Sequence, residues 1–337
     1  MTDPRLADLA LAELATACDL IVSRGTAVSI EEQEPPASAH RRFLLFSLSK
    51  TITAVATIAA AELAGLRLET RVATLVPAFG SAGKEEVTIH DVLCHRGGFP
   101  DGRPGLPTLT LADFDDEERA LAAICRLPRD PELATRGVYH PLAYSILAYV
   151  VAAATGRQFA EFCRERILDP LDMRDTTWGL ARELRGEAVA LVGERASEWD
   201  VESVYAATIA AGNAWSTAAD VHRLFSMFAA GGTYCSRRVL SEESVMRMTS
   251  PQAPAAGQAG ARSFGYGLFI GSAPGVLSGR GKTASTDCFG HAGFTATQAW
   301  YDPRDDLTLV ALTNGCVDQE ASDRRFSALA DTARRRA

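Results

Sequence analysis

Ser47 and Lys50 stand three residues apart at the head of an apolar run, and in a helix that spacing puts both side chains one turn apart on one face. The chemistry open to such a pair is acyl transfer. A lysine amine kept neutral by burial can take the serine hydroxyl proton while the oxygen attacks a carbonyl carbon. The helix N-terminus adds free N–H groups and partial positive charge for the oxyanion that forms. Lysine is otherwise scarce, with Lys50, Lys84 and Lys282 set against thirty-one arginines. Arginine does not give up its proton in a protein, so a lysine at an apolar position is informative. The pair alone is a weak signal, because serine is also a common N-cap. A second Ser-x-x-Lys runs from Ser81 to Lys84, where Ala82, Gly83, Glu85 and Glu86 describe a solvated loop in which the lysine keeps its charge. Context favours Ser47.

The elements that must position this pair follow from periodicity and punctuation. Met1 to Leu20 reads as an amphipathic helix, with Asp3, Asp8 and Glu13 among its apolar residues. Leu20 to Ser23 and Thr26 to Ile30 read as a hairpin and Arg42 to Phe46 as a strand leading into the helix at Ser47. Apolar residues cover every face of that helix, so it should be central and buried. From Leu68 to about Trp215 the pattern is helical: Thr88 to His95, Leu111 to Leu127, Tyr144 to Thr155 and Gln158 to Leu168. Three prolines between Pro100 and Pro107 mark a surface loop and candidate lid. A helix over Thr217 to Gly231 follows, then antiparallel strands at Gly265 to Gly271, Phe289 to Tyr301 and Leu307 to Asn314, a turn at Asp302 to Asp306, and a closing helix over Ser322 to Arg335. The expectation is one domain over 1–337: an α/β lobe from 1–66 and 217–337, a helical lobe from 67–216, and a site between them.

Composition narrows the function classes. A net charge of −8 leaves no basic face for a run of phosphates, which argues against nucleic-acid binding. The most apolar stretch, Ile52 to Leu66, is about 15 residues with Glu62 inside it, short of the roughly 20 needed to span a bilayer. Neither a secretory leader pattern nor paired cysteines occur, and a cytoplasmic location is expected. The cysteines read as small core residues.

Several segments in order resemble the serine β-lactamase, penicillin-binding protein (DD-peptidase) and related esterase superfamily. They are Phe46-Ser47-Leu48-Ser49-Lys50-Thr51-Ile52-Thr53-Ala54, Thr88 to Pro100, Ile167 to Thr176, Gly212 to Asp220 with Trp215-Ser216-Thr217-Ala218, and Gly290-His291-Ala292-Gly293 followed by Asp302-Pro303 and Thr313-Asn314. The resemblance spans about Phe43 to Gly315 and implies the β-lactamase/transpeptidase-like α+β fold, an antiparallel sheet flanked by helices beside a mostly helical lobe. It makes Ser47 the nucleophile, Lys50 its base and Tyr139 the tyrosine of the proton relay, with Tyr144 five residues on. Where the family usually has Tyr-x-Asn this chain has Tyr139-His140-Pro141, and proline offers no donor to a substrate amide. The family's third motif, Lys-Thr-Gly on a strand lining the site, has two candidates here. Lys282-Thr283-Ala284 spells it better, and His291-Ala292-Gly293 places it better. With the latter, the Phe294 N–H joins that of Ser47 in the oxyanion hole, and a neutral histidine holds a substrate carboxylate less firmly than lysine. Pocket walls are expected from the Pro100 to Pro107 loop, Tyr144, Trp215 and Phe294.

Other motifs read as decoys. His90, Asp91, Cys94 and His95 have metal-like spacing, but Thr88 with Asp91 forms a capping box. Gly275 to Thr283 nearly spells a P-loop with one residue too many, and no Gly-x-Ser-x-Gly elbow is present. The expected function is hydrolysis of a small-molecule ester through an acyl-enzyme on Ser47, without metal or cofactor, with water or a small alcohol or amine as acceptor. Alternatives are a biosynthetic acyltransferase, an amide or β-lactam hydrolase, and a catalytically silent binding protein.

Overall fold

A computed structural model of the chain describes residues 4–12, 15–35, 40–100, 113, 117–252, 263–271, 281–316 and 319–337. Strands in chain order are β1 (Cys18–Arg24), β2 (Ala27–Glu34), β3 (Phe43–Leu44), β4 (Thr177–Trp178), β5 (Ala214–Ser216), β6 (Thr233–Tyr234), β7 (Arg237–Arg238), β8 (Ser263–Phe264), β9 (Phe269–Ile270), β10 (Phe289–Ala292), β11 (Gln298–Asp302) and β12 (Leu307–Thr313). Seven of them make one antiparallel sheet in the order β2-β1-β12-β11-β10-β9-β8, so the first and last strands of the chain are neighbours within it. The register pairs Cys18 with Thr313 and His291 with Ala299. Side chains alternate across the strands as a two-residue period requires. Leu20, Val22, Leu309 and Ala311 face the helices Leu6–Leu11 and Gln319–Arg336, packing on Leu6, Phe326 and Leu329. Ile21, Val310 and Leu312 point to the opposite face and join the larger core around the helix Ser49–Ala64. Covered on both faces, β12 reads as an almost unbroken apolar run.

The helix Ser49–Ala64 is buried from Ser49 through Ala61. Its alanines favour helix and let neighbours approach on every side. A second sheet, β3-β5-β4, lies at its N-terminal end, with Phe43 opposite Ser216 and Leu44 opposite Trp215. This small sheet decides the site geometry, because it joins the strand entering Ser47 to the chain that returns from residue 209. Ser49 Oγ accepts from the Ala214 N–H at 3.0 Å and Thr53 Oγ1 donates to the Ala210 carbonyl at 2.5 Å.

Several expectations need correction. The first helix stops at Leu11 and the chain from Cys18 through Leu20 is strand, because those residues pair with Thr313 through Ala311. Gly265 to Gly271 is mostly the turn joining β8 to β9, and Phe289 to Tyr301 is two strands. The stretch 67–216 includes β4 and β5 and is less purely helical than its composition implies. Beyond Pro100, the candidate lid lies outside the described residues. Among the described residues no helix is long and apolar enough to cross a membrane.

Candidate active site

Ser47 occupies a 3₁₀ turn, Phe46–Leu48, that runs straight into the helix beginning at Ser49. The residue before it is held at a φ of +46°. Such a conformation costs about 1–3 kcal/mol for a residue with a side chain and persists only where the surroundings impose it. Here they do. The Leu45 N–H donates to the Ala214 carbonyl at 2.8 Å, and the end of β10 presses so closely that a Cβ at Gly293 would collide with the Leu45 carbonyl oxygen. Gly293 is glycine because the backbone that carries Phe294 must reach the turn that carries Ser47.

Lys50 is fully buried, and burial pushes its amine down from 10.5 to about 7. Its Nζ donates to the Ala211 carbonyl at 2.7 Å and to Ser47 Oγ at 3.1 Å. The Tyr139 hydroxyl donates to the same Ser47 oxygen at 2.7 Å, and Nζ lies 5.1 Å from the Tyr139 ring centroid. No neighbouring cation is needed to lower the amine, since desolvation of the charged form suffices. Near neutral pH a deprotonated Lys50 is therefore available within hydrogen-bond reach of the hydroxyl.

Tyr139 is positioned from both sides. Its ring packs on His95 at 4.6 Å and Phe269 at 6.0 Å. The next residue, His140, is buried, and desolvation together with the Lys50 charge pushes its imidazole down to about 4. Its neutral Nδ1 accepts from the N–H groups of Leu142 and Ala143 at 3.2 and 3.0 Å, locking the bend after Tyr139.

Ser47, Tyr139, Gly293 and Phe294 line a cavity of about 380 Å³ together with Leu44, Phe46, Pro141, Leu142, Trp199, Val204, Ile209, Ala211, Gly212, Asn213 and Ala292. None of these described lining residues carries a charge. Two expected wall residues, Tyr144 and Trp215, and the third-motif candidate His291 are not among them. Tyr144 is fully buried, its hydroxyl donating to the Leu93 carbonyl and accepting from the Gly267 N–H at 2.9 Å, so it braces the scaffold. Trp215 is buried in β5 and packs on Tyr205 at 5.3 Å. His291 is buried with its ring 4.5 Å from Phe269, and its Nδ1 lies 2.9 Å from the Ala292 nitrogen and 2.8 Å from the Ala292 carbonyl oxygen. Strand alternation separates the Ala292 side chain, which lines the cavity, from the His291 ring, 6.2 Å from that of Tyr139, and Gly293 lines the cavity with backbone alone. The rival third motif sits elsewhere, with the Lys282 and Thr283 N–H groups and the Thr283 hydroxyl bonded to the Asp331 carboxylate of the C-terminal helix.

The second Ser-x-x-Lys is not a solvated loop. Lys84 is fully buried and Nζ donates to the carbonyls of Cys125 and Leu127 at 2.8 and 2.5 Å, closing the helix Glu117–Arg126 over the Phe79 ring. The acidic neighbours that gave the wrong impression are the exposed Glu85 and Glu86. The metal-like cluster is likewise absorbed: Thr88 and Asp91 form the capping box, His90 pairs with the Tyr266 hydroxyl at 2.8 Å and His95 packs on Tyr144. Six of the seven cysteines are buried, and burial pushes the Cys94 thiol up to about 12.

Sequence reasoning missed His140, Asn213 and Trp199. Asn213 accepts from the Ile209 N–H at 2.7 Å and donates to the Val204 and Ala207 carbonyls at 3.0 and 2.6 Å, which shapes the wall from 204 to 213. Trp199 left one usable signal, a large apolar residue in the otherwise polar run Glu194 to Asp200.

A model of the beta-lactamase family matches residues 19–333. A protein of Escherichia coli (strain K12), provisionally named a D-alanyl-D-alanine carboxypeptidase, is 26% identical over 280 residues, which cover 74% of this chain and 63% of the relative. The chain thus spans less than two thirds of that curated relative's length. A solved family VIII carboxylesterase superposes with a TM-score of 0.82 at 18% identity, over 98% of this chain and 96% of its own. EstCE1, described as a hydrolase with promiscuous acyltransferase activity, gives 0.75 at 18% identity, over 97% and 96%. At these identities the structural likeness is one of fold.

Proposed function

The chain belongs to the beta-lactamase family of serine hydrolases, with its β-lactamase/transpeptidase-like fold, and on that premise we propose that it hydrolyses small, uncharged carboxylic esters through an acyl-enzyme on Ser47. The observation that carries the reading is the convergence of the Lys50 amine and the Tyr139 hydroxyl on one serine oxygen, at 3.1 and 2.7 Å. In the acylation step the Ser47 Oγ–carbon bond forms as neutral Lys50 takes the hydroxyl proton, and the carbonyl electron pair moves onto the oxyanion. The Ser47 and Phe294 N–H groups are the donors assigned to that oxyanion. Collapse breaks the carbon–alkoxy bond, and the proton reaches the leaving oxygen by way of Tyr139. Water then attacks the ester with the same groups in reverse order, releasing the acid and restoring Ser47.

The walls favour an ester over an amide or a β-lactam. Pro141 has no side-chain donor for a substrate amide. A substrate carboxylate brought among the described lining residues would find no cation, and a buried unpaired charge costs several kcal/mol. The same apolar lining favours a second outcome, transfer of the acyl group to a small alcohol that competes with water at the second step.

The test is a substrate panel of para-nitrophenyl butyrate, a chromogenic cephalosporin and a D-alanyl peptide, with methanol or butanol as added acceptors. Turnover of the butyrate ester, with a rising share of transesterified product at higher alcohol, is expected. Turnover of the cephalosporin or the peptide alone contradicts the reading.

A further inference from the structure

Trp199 reaches the cavity from a segment that sequence reasoning did not connect with the site, and its attachment is unusually firm for a loop. The Val189 N–H donates to the Arg42 carbonyl at 2.9 Å, beside the Arg42–Ala188 bridge. Farther on, the Val192 N–H donates to the Asn314 carbonyl at 3.0 Å and the Cys316 N–H returns to the Val192 carbonyl at 2.7 Å. Gly193, at a φ of +101°, lies so close that an added Cβ would stand 2.8 Å from the Cys316 carbonyl oxygen. After the 3₁₀ turn Glu194–Glu198, the Asp200 carboxylate caps the helix Val201–Ala206 by accepting from the Ser203 N–H at 3.3 Å. Trp199 is therefore held between two fixed points.

Its indole packs edge-on to Phe46 at 4.6 Å and tilted on Phe294 at 5.3 Å, while Phe46 and Phe294 are 5.5 Å apart. These are the residues next to the nucleophile and at the assigned oxyanion donor. Arg195 backs the cluster with its guanidinium 4.4 Å from the Phe294 centroid. Two hydrogen bonds to Glu198, at 2.8 and 3.0 Å, occupy its charge. Tyr139, which has to meet the leaving oxygen, packs on His95, Phe269 and His291 and belongs to a different aromatic group. The leaving alcohol must therefore lie toward Tyr139, which leaves the acyl group the space bounded by Phe46, Trp199, Phe294, Val204 and Ile209.

We propose that this aromatic cluster is the acyl-chain pocket and that Trp199 is its end wall, a specificity-determining residue that admits a short uncharged apolar acyl group and stops a long one. The inference rests on the ester-hydrolase reading above. One methylene in a hydrophobic pocket is worth roughly 10–200-fold in discrimination, so shortening the end wall by a whole indole must show in the acyl series.

The experiment measures kcat and KM for para-nitrophenyl esters from acetate to decanoate and, separately, for butyrate esters of alcohols from methanol to hexanol. In Trp199→Ala the octanoate to butyrate ratio of kcat/KM is expected to rise by at least about tenfold, carried by KM, while Trp199→Phe stays within about threefold of the wild type. The alcohol series is expected to keep its order. Trp199→Leu is read in the same way if Trp199→Ala does not fold. A ratio that moves by less than about twofold, or a shift confined to the alcohol series, overturns the assignment. Labelling by a small fluorophosphonate separates the two readings. Label on Ser47 with an unmoved ratio sinks only the role of Trp199, whereas a wild-type chain with neither label nor ester turnover sinks the parent reading and this one with it.

Discussion

Replacing Lys50 by methionine should stabilise the protein while removing its activity, and the stabilisation should depend on pH in a defined way. The amine titrates near 10.5 when free and at about 7 in the fold, with burial as the cause. At about 1.36 kcal/mol for each pH unit, that difference amounts to about 5 kcal/mol against the folded state. The sign follows from which state holds the proton. Above about 10.5 the amine is neutral whether the chain is folded or not, and the penalty is absent. Between about 10.5 and 7 only the unfolded chain is protonated, so wild-type stability falls as pH falls. Below about 7 both states are charged and the full penalty applies. Methionine fills similar volume without that cost, but it leaves the Ala211 carbonyl without its donor at 2.7 Å, a loss of about 1–3 kcal/mol. The net expectation is a gain of about 2–4 kcal/mol below pH 7, shrinking to a small loss near pH 10. Urea unfolding of the wild type and Lys50→Met at pH 6, 8 and 10 measures it, because effects of other titrating groups cancel in the difference. A difference that stays the same from pH 6 to 10, or a variant less stable than the wild type at pH 6, refutes the buried neutral amine.

Other perturbations separate positioning from chemistry. Tyr139→Phe keeps the ring contacts with His95 and Phe269 and removes only the hydroxyl from Ser47, so kcat should fall by about 10²–10⁴-fold with the melting temperature nearly unchanged; equal loss in both marks a structural tyrosine. Gly293→Ala drives a Cβ into the Leu45 carbonyl and should cost on the order of 10²-fold in kcat by displacing the turn that holds Ser47, and full activity in that variant contradicts the close approach. Lys84→Met relieves the burial cost of the amine but leaves two carbonyls, of Cys125 and Leu127, without a donor where Lys50→Met leaves one, so it should stabilise less than Lys50→Met in urea unfolding at pH 6, with kcat per folded molecule unchanged. Lost kcat there assigns the second Ser-x-x-Lys a part in the reaction.

The reach of sequence reasoning differed from residue to residue for physical reasons. Ser47 and Lys50 could be read together because helical spacing is local and the apolar run around them announces burial. The hairpin β1–β2 and the strand β12 were legible as short β-prone runs bounded by turn residues, and Tyr139 only through the ordered resemblance, since nothing local distinguishes a tyrosine aimed at Ser47 from one that packs. Lys84 was misread because its exposed flank, Glu85 and Glu86, is adjacent in sequence whereas the two carbonyls that hold it come from residues 125 and 127. Tyr144, Trp215 and His291 are in the expected elements, but facing is set by tertiary register, which turns them away from the cavity. Trp199 could not be read as a wall residue because its segment is tied to the site by backbone contacts with Arg42, Asn314 and Cys316, and Asn213 because its bonds to residues 204, 207 and 209 form only once that loop has folded.

Acylation of Ser47 itself tests the mechanism most directly. The protein is mixed with para-nitrophenyl butyrate, quenched in acid within the first turnover, digested and examined by mass spectrometry across pH 5.5 to 8.5. A butyryl group on Ser47 is expected in the wild type, forming at a rate that climbs with pH about a midpoint near 7, with none formed in the same time by Ser47→Ala or Lys50→Met. Turnover without any adduct on Ser47, or acylation at a rate indifferent to pH over that range, contradicts a serine activated by a neutral buried lysine.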